Sequence, residues 1–589
     1  MMILIRNRKS IRQTFLFIFV LLFIAKIAYG QNDISVSSSK IINEYKSLVL
    51  NAMQDDSLIG VGIGLIINDT VLWKEGFGFA DKEKQIPFTT RTTLCIGSVT
   101  KPITALGIMQ LHENGLIDID KPFVNYLPQF SIKTREFDAN KISIRSLVNH
   151  TSGIPNDVLL CGVKDSYAST VKYLKDEYLA YPPNLTYHYS NFGYFLLGPT
   201  FLEVSGQNYP YYIQNNILEP IGMNNSGFEY FKELTNISKT YKNDGENHQL
   251  ELEEGDADPA GSLFSNIDDM TLLAKELIDI YHGKQGSILK PETLHEIFSV
   301  QDKKETIDNI NRGIGWAIFK NDSCFAVRFT GSTHLSNAGI IIIPERKMAA
   351  VFQANTVGGL KLANDGINKF LTYVGLEQND IYSKNIVRER NEKLLNIPID
   401  SLKKHIGLYA HTSSIMMVKQ ENSHLVLNAN FGDYILYPIT KSEFNFGKIH
   451  NSDSIQLFPN QRFIFKDIAG HHFLFWEDEK YKLHNFSFLI EPKKISDLWK
   501  NRLGKYEVVS CTRGGYDQFL GIELTSLEDN LLQLKIPYTS GLYMYNMYIK
   551  SDNELIFCGF SEPGGETVSF DNTNQDTMTL FGLKLKKID

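Results

Sequence analysis

The sequence predicts an α+β domain followed by all-β units, each a barrel or a sandwich, and three observations lead there. Residues 34–376 mix helical and strand periods, with strand-like runs at both ends and helices between them. After a charged stretch at residues 383–393 the helical period vanishes, and short alternating runs punctuated by Asn, Asp and Gly take over. Finally, His405-Ile-Gly-Leu-Tyr409 is echoed by Arg502-Leu-Gly-Lys-Tyr506, each ahead of a meander of about ninety residues, which indicates two similar β units. A chain of 589 residues is too long for one core. We divide it into a leader (1–30), a mixed domain (31–380), a linker (381–396) and two β units (397–494 and 495–589).

In the leader, Arg6, Arg8, Lys9 and Arg12 precede eleven apolar residues (15–25), then the small residues Ala28 and Gly30. This is the pattern of a signal peptide cleaved before Gln31, and eleven residues are too few to span a bilayer. The expected product is exported, periplasmic or secreted, without stable membrane insertion. Residues 61–67 and 70–74 form a hairpin pattern around Asn68-Asp69. Residues 100–114 place Ile103, Leu106, Met109 and Leu111 at helical spacing, and Gly115 stops the run. Asn266 caps a later helix, with Asp268 and Asp269 in its first turn. Residues 338–343 and 348–353 read as strands around Pro344-Glu345-Arg346. In the β units, runs 425–427, 463–465, 473–475, 531–536 and 580–585 read as strands.

A hydrophobic fraction of 43% with 21% charged residues excludes global disorder. A net charge of -8, with no basic run beyond the leader, gives no reason to expect a nucleic-acid partner. The five cysteines (Cys95, Cys161, Cys324, Cys511 and Cys558) are widely spaced without a CxxC pair, so neither a zinc site nor a disulfide framework is indicated. Cys511 and Cys558 share the C-terminal segment, but buried thiols are the expected state. No metal or organic cofactor is required, and nothing in the pattern specifies an oligomeric state.

The chemistry centres on Ser98-Val-Thr-Lys101. Ser-x-x-Lys alone is weak, since Ser37/Lys40, Ser169/Lys172, Ser287/Lys290 and Ser401/Lys404 repeat it. Ser98 differs in context: it follows Gly97 at the mouth of a helix, with Pro102 in the first turn. A hydroxyl there feels the positive helix end, and an amine at i+3 can lie beside it. A serine nucleophile needs an adjacent base, which a partly desolvated amine supplies. The same local pattern also fits a helix cap beside a surface lysine.

Over residues 42–372 an ordered set of motifs resembles the β-lactamase-related serine hydrolases, which include class C β-lactamases, D,D-carboxypeptidases, D-aminopeptidases and some esterases. The motifs are Ile96-Gly-Ser-Val-Thr-Lys101, His150-Thr-Ser-Gly-Ile-Pro155, Tyr189-Ser-Asn191, Pro259-Ala-Gly261 and Gly313-Ile-Gly-Trp316. The resemblance implies a penicillin-binding-protein-like transpeptidase fold, an antiparallel sheet with a helical region. It casts Ser98 as the acylated nucleophile and Lys101 as its proton partner. Tyr189 becomes the general base in acylation and the acid for the leaving group, which a phenol of pKa near 10 achieves only beside cations. Asn191 would orient Lys101 and hydrogen-bond a substrate amide; His150 reads as a turn former.

The third motif departs from the family pattern. Where Lys-Thr-Gly or His-x-Gly belongs, this chain has Arg328-Phe-Thr-Gly-Ser332, with Phe329 at the cation position. Thr330 and Gly331 still suit the strand edge, and the Ser332 and Ser98 amides would make an oxyanion hole. Strand alternation puts Arg328 on the face opposite Phe329. His334 reads as a loop histidine rather than a substitute. The β units resemble, more loosely, lipocalin-like domains appended to some members. The expected function is an exported serine hydrolase acting through a Ser98 acyl-enzyme on a small peptide, amide or ester, with β-lactam hydrolysis the lesser expectation. The alternative is a catalytically weak or inactive binding protein whose function lies in the β units.

Overall fold

In the computed structural model the Asn68-Asp69 turn forms as its sequence requires, with φ of 50° and 66°. Two positive φ values give the turn whose twist matches that of the flanking strands. The structure describes residues 38–588 apart from 135–136, 157–170, 173, 229–232, 243–258, 302–309, 334–335, 382–393, 430–431, 452–453, 459–460, 469, 479–482, 511–520, 528–529, 539–540, 560–563, 572–573 and 581–582. The leader, the charged stretch 383–393, His334, Cys161 and Cys511 therefore lie outside the described residues.

The hairpin strands are β1 (Gly60–Ile67) and β2 (Thr70–Asp81). With β3 (Ile86–Pro87), β4 (Arg312–Gly313), β5 (Trp316–Lys320), β6 (Phe325–Ser332), β7 (Asn337–Ile343) and β8 (Met348–Ala354) they make one antiparallel sheet. Its order is β3-β2-β1-β8-β7-β6-β5-β4, so Val61 near the start of the domain faces Ala354 near its end. The longer helices are α1 (Ser38–Asp55), α2 (Thr100–Glu113), α3 (Ile267–Tyr281) and α4 (Gly359–Thr372).

Both faces of the sheet are covered, which explains the unbroken apolar run of β7. Ile340 and Ile342 join the core containing Ile267, Met270 and Ala274 of α3. Ile341 and Ile343 join a second core with Tyr45 of α1 and with Ile367 and Phe370 of α4. Full burial of each such side chain contributes about 1.5–3 kcal/mol. The predicted cap is present: Asp269 N–H donates to Asn266 Oδ1 at 2.9 Å.

Each β unit is an eight-stranded antiparallel barrel. The first closes Gly407–Ala410 onto Leu483–Ile490, and Ser454–Leu457 is added outside the ring. The second closes Gly504–Ser510 onto Leu583–Lys587. The run 580–585, expected as one strand, is instead a hairpin in which Leu580 faces Leu583. Leu580, Leu583 and Leu585 read as one apolar alternation, so the sequence pattern conceals the reversal. The repeated motif has a physical meaning. Tyr409 Oη donates to His405 O at 3.0 Å, and Tyr506 Oη donates to Arg502 O at 2.5 Å. In each copy the intervening glycine, Gly407 or Gly504, has φ of 149° or 136°.

The barrels pack on the mixed domain and on each other. Ala180, Tyr181 and Leu185 meet Ile464, Phe473 and Phe475 of the first barrel. Leu408, Ala410 and Ile490 meet Leu531 and Cys558 of the second. Cys558, like Cys95 and Cys324, is buried and in no disulfide. Among the described residues no helix is long and apolar enough to cross a membrane.

The first barrel carries a pH-dependent element. His405 is buried, with Nε2 donating to Lys441 O at 2.8 Å and Nδ1 2.9 Å from His472 Nε2. Burial lowers its pKa to about 4. The unfolded chain takes up a proton near pH 6.5 that the folded chain refuses, so stability is full above that value and falls as pH drops towards 4. Asp467, held low mainly by its hydrogen bond to His472, loses its contribution only in the more acidic carboxylate range. We predict that the full chain loses about 2 kcal/mol between pH 7 and pH 5 through His405. Thermal unfolding at both pH values checks this, with a smaller loss expected for His405→Gln.

Candidate active site

Ser98 lies in the 3-10 turn Gly97–Val99 that runs directly into α2. The turn is possible because Gly97 adopts φ of 53°, and a side chain there would sit 2.8 Å from Ser332 N. Ser98 Oγ lies 2.7 Å from Tyr189 Oη and accepts from Lys101 Nζ at 3.1 Å. Lys101 is fully buried. It also donates to Asn191 Oδ1 at 2.8 Å and to Ala260 O at 2.7 Å, so all three ammonium hydrogens meet acceptors. Its Nζ stands 4.8 Å from the Tyr189 ring centroid and 5.4 Å from that of Tyr194. A positive charge there offsets negative charge carried by a Tyr189 phenolate, or by Ser98 once its proton has moved.

The sequence places these groups by local means. Thr100, Lys101 and Thr104 stitch α2 to the segment around Ala260: Leu263 N–H donates to Thr100 Oγ1 at 3.2 Å, and Thr104 Oγ1 donates to Pro259 O at 2.7 Å. The turn after His150 forms a bracket for Tyr189-Ser190-Asn191. Ser190 N–H donates to His150 Nδ1 at 3.1 Å, Ser190 Oγ donates to Pro155 O at 2.8 Å, and Asn191 N–H donates to Asn156 Oδ1 at 3.0 Å. His150 has φ of 57° and its ring lies 4.4 Å from that of Tyr189. Burial, then Lys101, Arg312 and His188, holds its pKa well below the ordinary histidine value, so it stays neutral. It supports the tyrosine motif as a turn former, as expected.

The third motif runs along β6. Gly331 touches the Ser98 turn so closely that a Cβ would lie 2.3 Å from Ile96 O and 2.6 Å from Ser98 N. This contact brings the Ser98 and Ser332 amides to adjoining positions. Phe329 is half-buried and packs on the core shared with Val327, while Thr330 is half-buried beside it. Arg328 points the other way, its guanidinium 4.8 Å from the Phe319 ring, and supplies no charge to the cleft. Ser98, Lys101, Tyr189 and Asn191 thus come together, with Gly331 and Ser332 alongside. The decoy Ser287 donates instead to Glu276 on the surface.

Three participants carried no clear signal. Ala260 acts through its carbonyl, and only its place within Pro259-Ala-Gly261 pointed to it. Asn156 follows the His150 turn directly. Glu566 belongs to the second barrel, yet its Oε1 accepts from Asn156 N–H at 2.9 Å and from His188 Nε2 at 3.1 Å. Among the described residues no cluster of three metal-ligating side chains occurs.

A sheet with helices on both faces, and a serine hydrogen-bonded to both a buried lysine and a tyrosine, define the class of penicillin-binding-protein-like serine hydrolases. A profile of the beta-lactamase family matches residues 46–371, more than half of the chain, and the protein belongs to that family. It is 28% identical over 286 residues to Beta-lactamase-like protein 2 of Dictyostelium discoideum, covering 46% of this chain and 51% of that one. It is 28% identical over 190 residues to Protein flp of Staphylococcus aureus (strain NCTC 8325 / PS 47), covering 31% and 37%. The chain therefore matches only about half, or less, of the length of these relatives. In fold it is similar to the octameric penicillin-binding protein homologue from Pyrococcus abyssi, with a TM-score of 0.50 and 23% identity over 76% of this chain and 100% of that one. SurE is similar with a TM-score of 0.51 and 19% identity over 75% and 98%.

The contact at Gly331 generates a prediction. Gly331→Ala forces β6 and the Ser98 turn apart, and a displacement of about 1 Å at a reacting centre costs about a hundredfold in rate. The rate of Ser98 modification by a fluorophosphonate, compared between the two proteins at matched folded concentration, measures it.

Proposed function

We propose that the protein is an exported serine hydrolase that transfers the acyl group of a peptide, amide or ester to water through a Ser98 ester. The observation that carries this reading is the continuous hydrogen-bonded path from Lys101 Nζ to Ser98 Oγ to Tyr189 Oη. Tyr189, as a phenolate held beside the Lys101 charge, takes the Ser98 proton as Oγ attacks the carbonyl carbon, and the negative charge passes from the phenolate to the carbonyl oxygen. The carbonyl oxygen, now an oxyanion, accepts from the Ser98 and Ser332 amides, a contribution of about 3 kcal/mol to the transition state. The proton held by Tyr189 passes to the leaving amine or alcohol as the carbon–leaving-group bond breaks. Water then repeats the sequence against the ester and frees Ser98. The leader supports export, with cleavage before Gln31.

Phe329 directs the choice of substrate. An apolar side chain where relatives of this fold type carry a cation favours substrates without a carboxylate beside the scissile bond. It also supports the second reading, a binding protein with weak turnover. A fluorophosphonate labels the wild-type protein and spares Ser98→Ala under the enzymatic reading. Absence of label, together with no turnover of p-nitrophenyl esters, D-amino-acid anilides or nitrocefin, overturns it in favour of the second. D-leucine anilide belongs in the panel because SurE, similar in fold, has been crystallised with D-Leu. Phe329→Lys is expected to raise kcat/KM for carboxylate-bearing over neutral substrates by about tenfold, or about 1.4 kcal/mol.

A further inference from the structure

The second barrel sends one carboxylate into the mixed domain. The Glu566 side chain is 3% exposed and follows Gly564-Gly565 on the loop leading into the strand Thr567–Phe570. A carboxylate is costly to take from water unless donors replace its hydration. Here the donors are Asn156 N–H and His188 Nε2–H, on the two segments that flank the tyrosine motif. Asn156 in turn holds the Asn191 amide, and Asn191 Oδ1 accepts from Lys101. His188 immediately precedes Tyr189 in the chain, and its own amide donates to His150 O at 2.7 Å. The same loop is anchored where Tyr181 Oη donates to Gly559 O at 2.8 Å. Its glycine at 565 lies so close to Tyr181 that a Cβ would fall 2.7 Å from the ring.

We propose that Glu566 is a positioning residue for Tyr189 and Asn191, so that the second barrel completes the active site. The carboxylate clamps the 150–156 turn and the 188–191 segment to each other from outside the domain that carries the nucleophile. Removing it takes the Glu566 acceptor from two buried N–H groups at once, and the bracket around Asn191 relaxes in response. This role rests on the acyl-transfer reading of Ser98, but its structural half stands apart from turnover.

The test uses the full-length chain with Glu566→Gln and Glu566→Ala. Two quantities are read: hydrogen exchange of peptides covering residues 150–156 and 186–193, and kcat and KM on the best ester, corrected for the folded fraction. Positioning predicts faster exchange in both peptides with other mixed-domain peptides unchanged. It also predicts a fall in kcat of about tenfold to a hundredfold, with KM changed less than threefold. A carboxylate that only stabilises the barrel would lower the melting temperature and leave kcat of the folded protein intact, and that result overturns the proposal. Unchanged exchange in both peptides overturns it too, even if no substrate is turned over. A wild-type protein without fluorophosphonate labelling removes the acyl-transfer reading, while the exchange result still decides whether Glu566 holds the motif.

Discussion

A primary ammonium with no contact to water must find three acceptors inside the protein, and Lys101 finds them on three separate stretches of chain. One is in the 3-10 turn just ahead of its own helix, one lies two residues beyond Tyr189, and one is the backbone carbonyl of Ala260. Leaving any of these hydrogens unmatched costs more than an ordinary hydrogen bond contributes, because the group is charged. The requirement therefore fixes the relative position of α2, the 189–191 segment and the 259–263 segment at once. Thr100 and Thr104 reinforce the same seam, and the His150 turn reinforces the other. The sheet beneath supplies the edge on which Gly331 meets the Ser98 turn.

That constraint also explains which parts of the site were legible in the sequence. Ser98 and Lys101 are one helical turn apart, and Tyr189 and Asn191 two residues apart, so each pair leaves a short pattern. Phe329 was equally legible because a departure from a pattern is local too. Ala260 was not, since a carbonyl acceptor has no residue type. Glu566 was not, because nothing in the spacing of residues 188 and 566 relates them; only the folded barrel does. In the fold, the hairpin at Asn68-Asp69 and the Asn266 cap follow from side chains acting within a few residues. The pairing of Leu580 with Leu583 was not legible, because Leu580, Leu583 and Leu585 read as one continuous strand.

The cleft combines a charged, fully matched interior with an apolar neighbour on β6. Lys101 is oriented inward to the serine and tyrosine, and Arg328 is turned to the opposite face of the sheet. Arg312 is buried and stacked 4.4 Å from the Tyr187 ring, contributing positive potential at His150. Positive charge is thus present around the tyrosine motif even though the third motif lacks its cation. The barrels complete this surround, since both rest on residues 180–185, just before the tyrosine.

The pairing of β1 with β8 sets a schedule for making the protein. Val61 and its partner Ala354 are about 290 residues apart, and at roughly 5–20 residues per second a ribosome needs about 15–60 s to cover that distance. For that interval the β1–β2 hairpin has one unpaired apolar edge, whereas each barrel closes on strands made within its own hundred residues or so. This hairpin is made early in the mixed domain and is then among the last of its parts to be finished. Its edge is the site where a newly made chain most needs a holding chaperone.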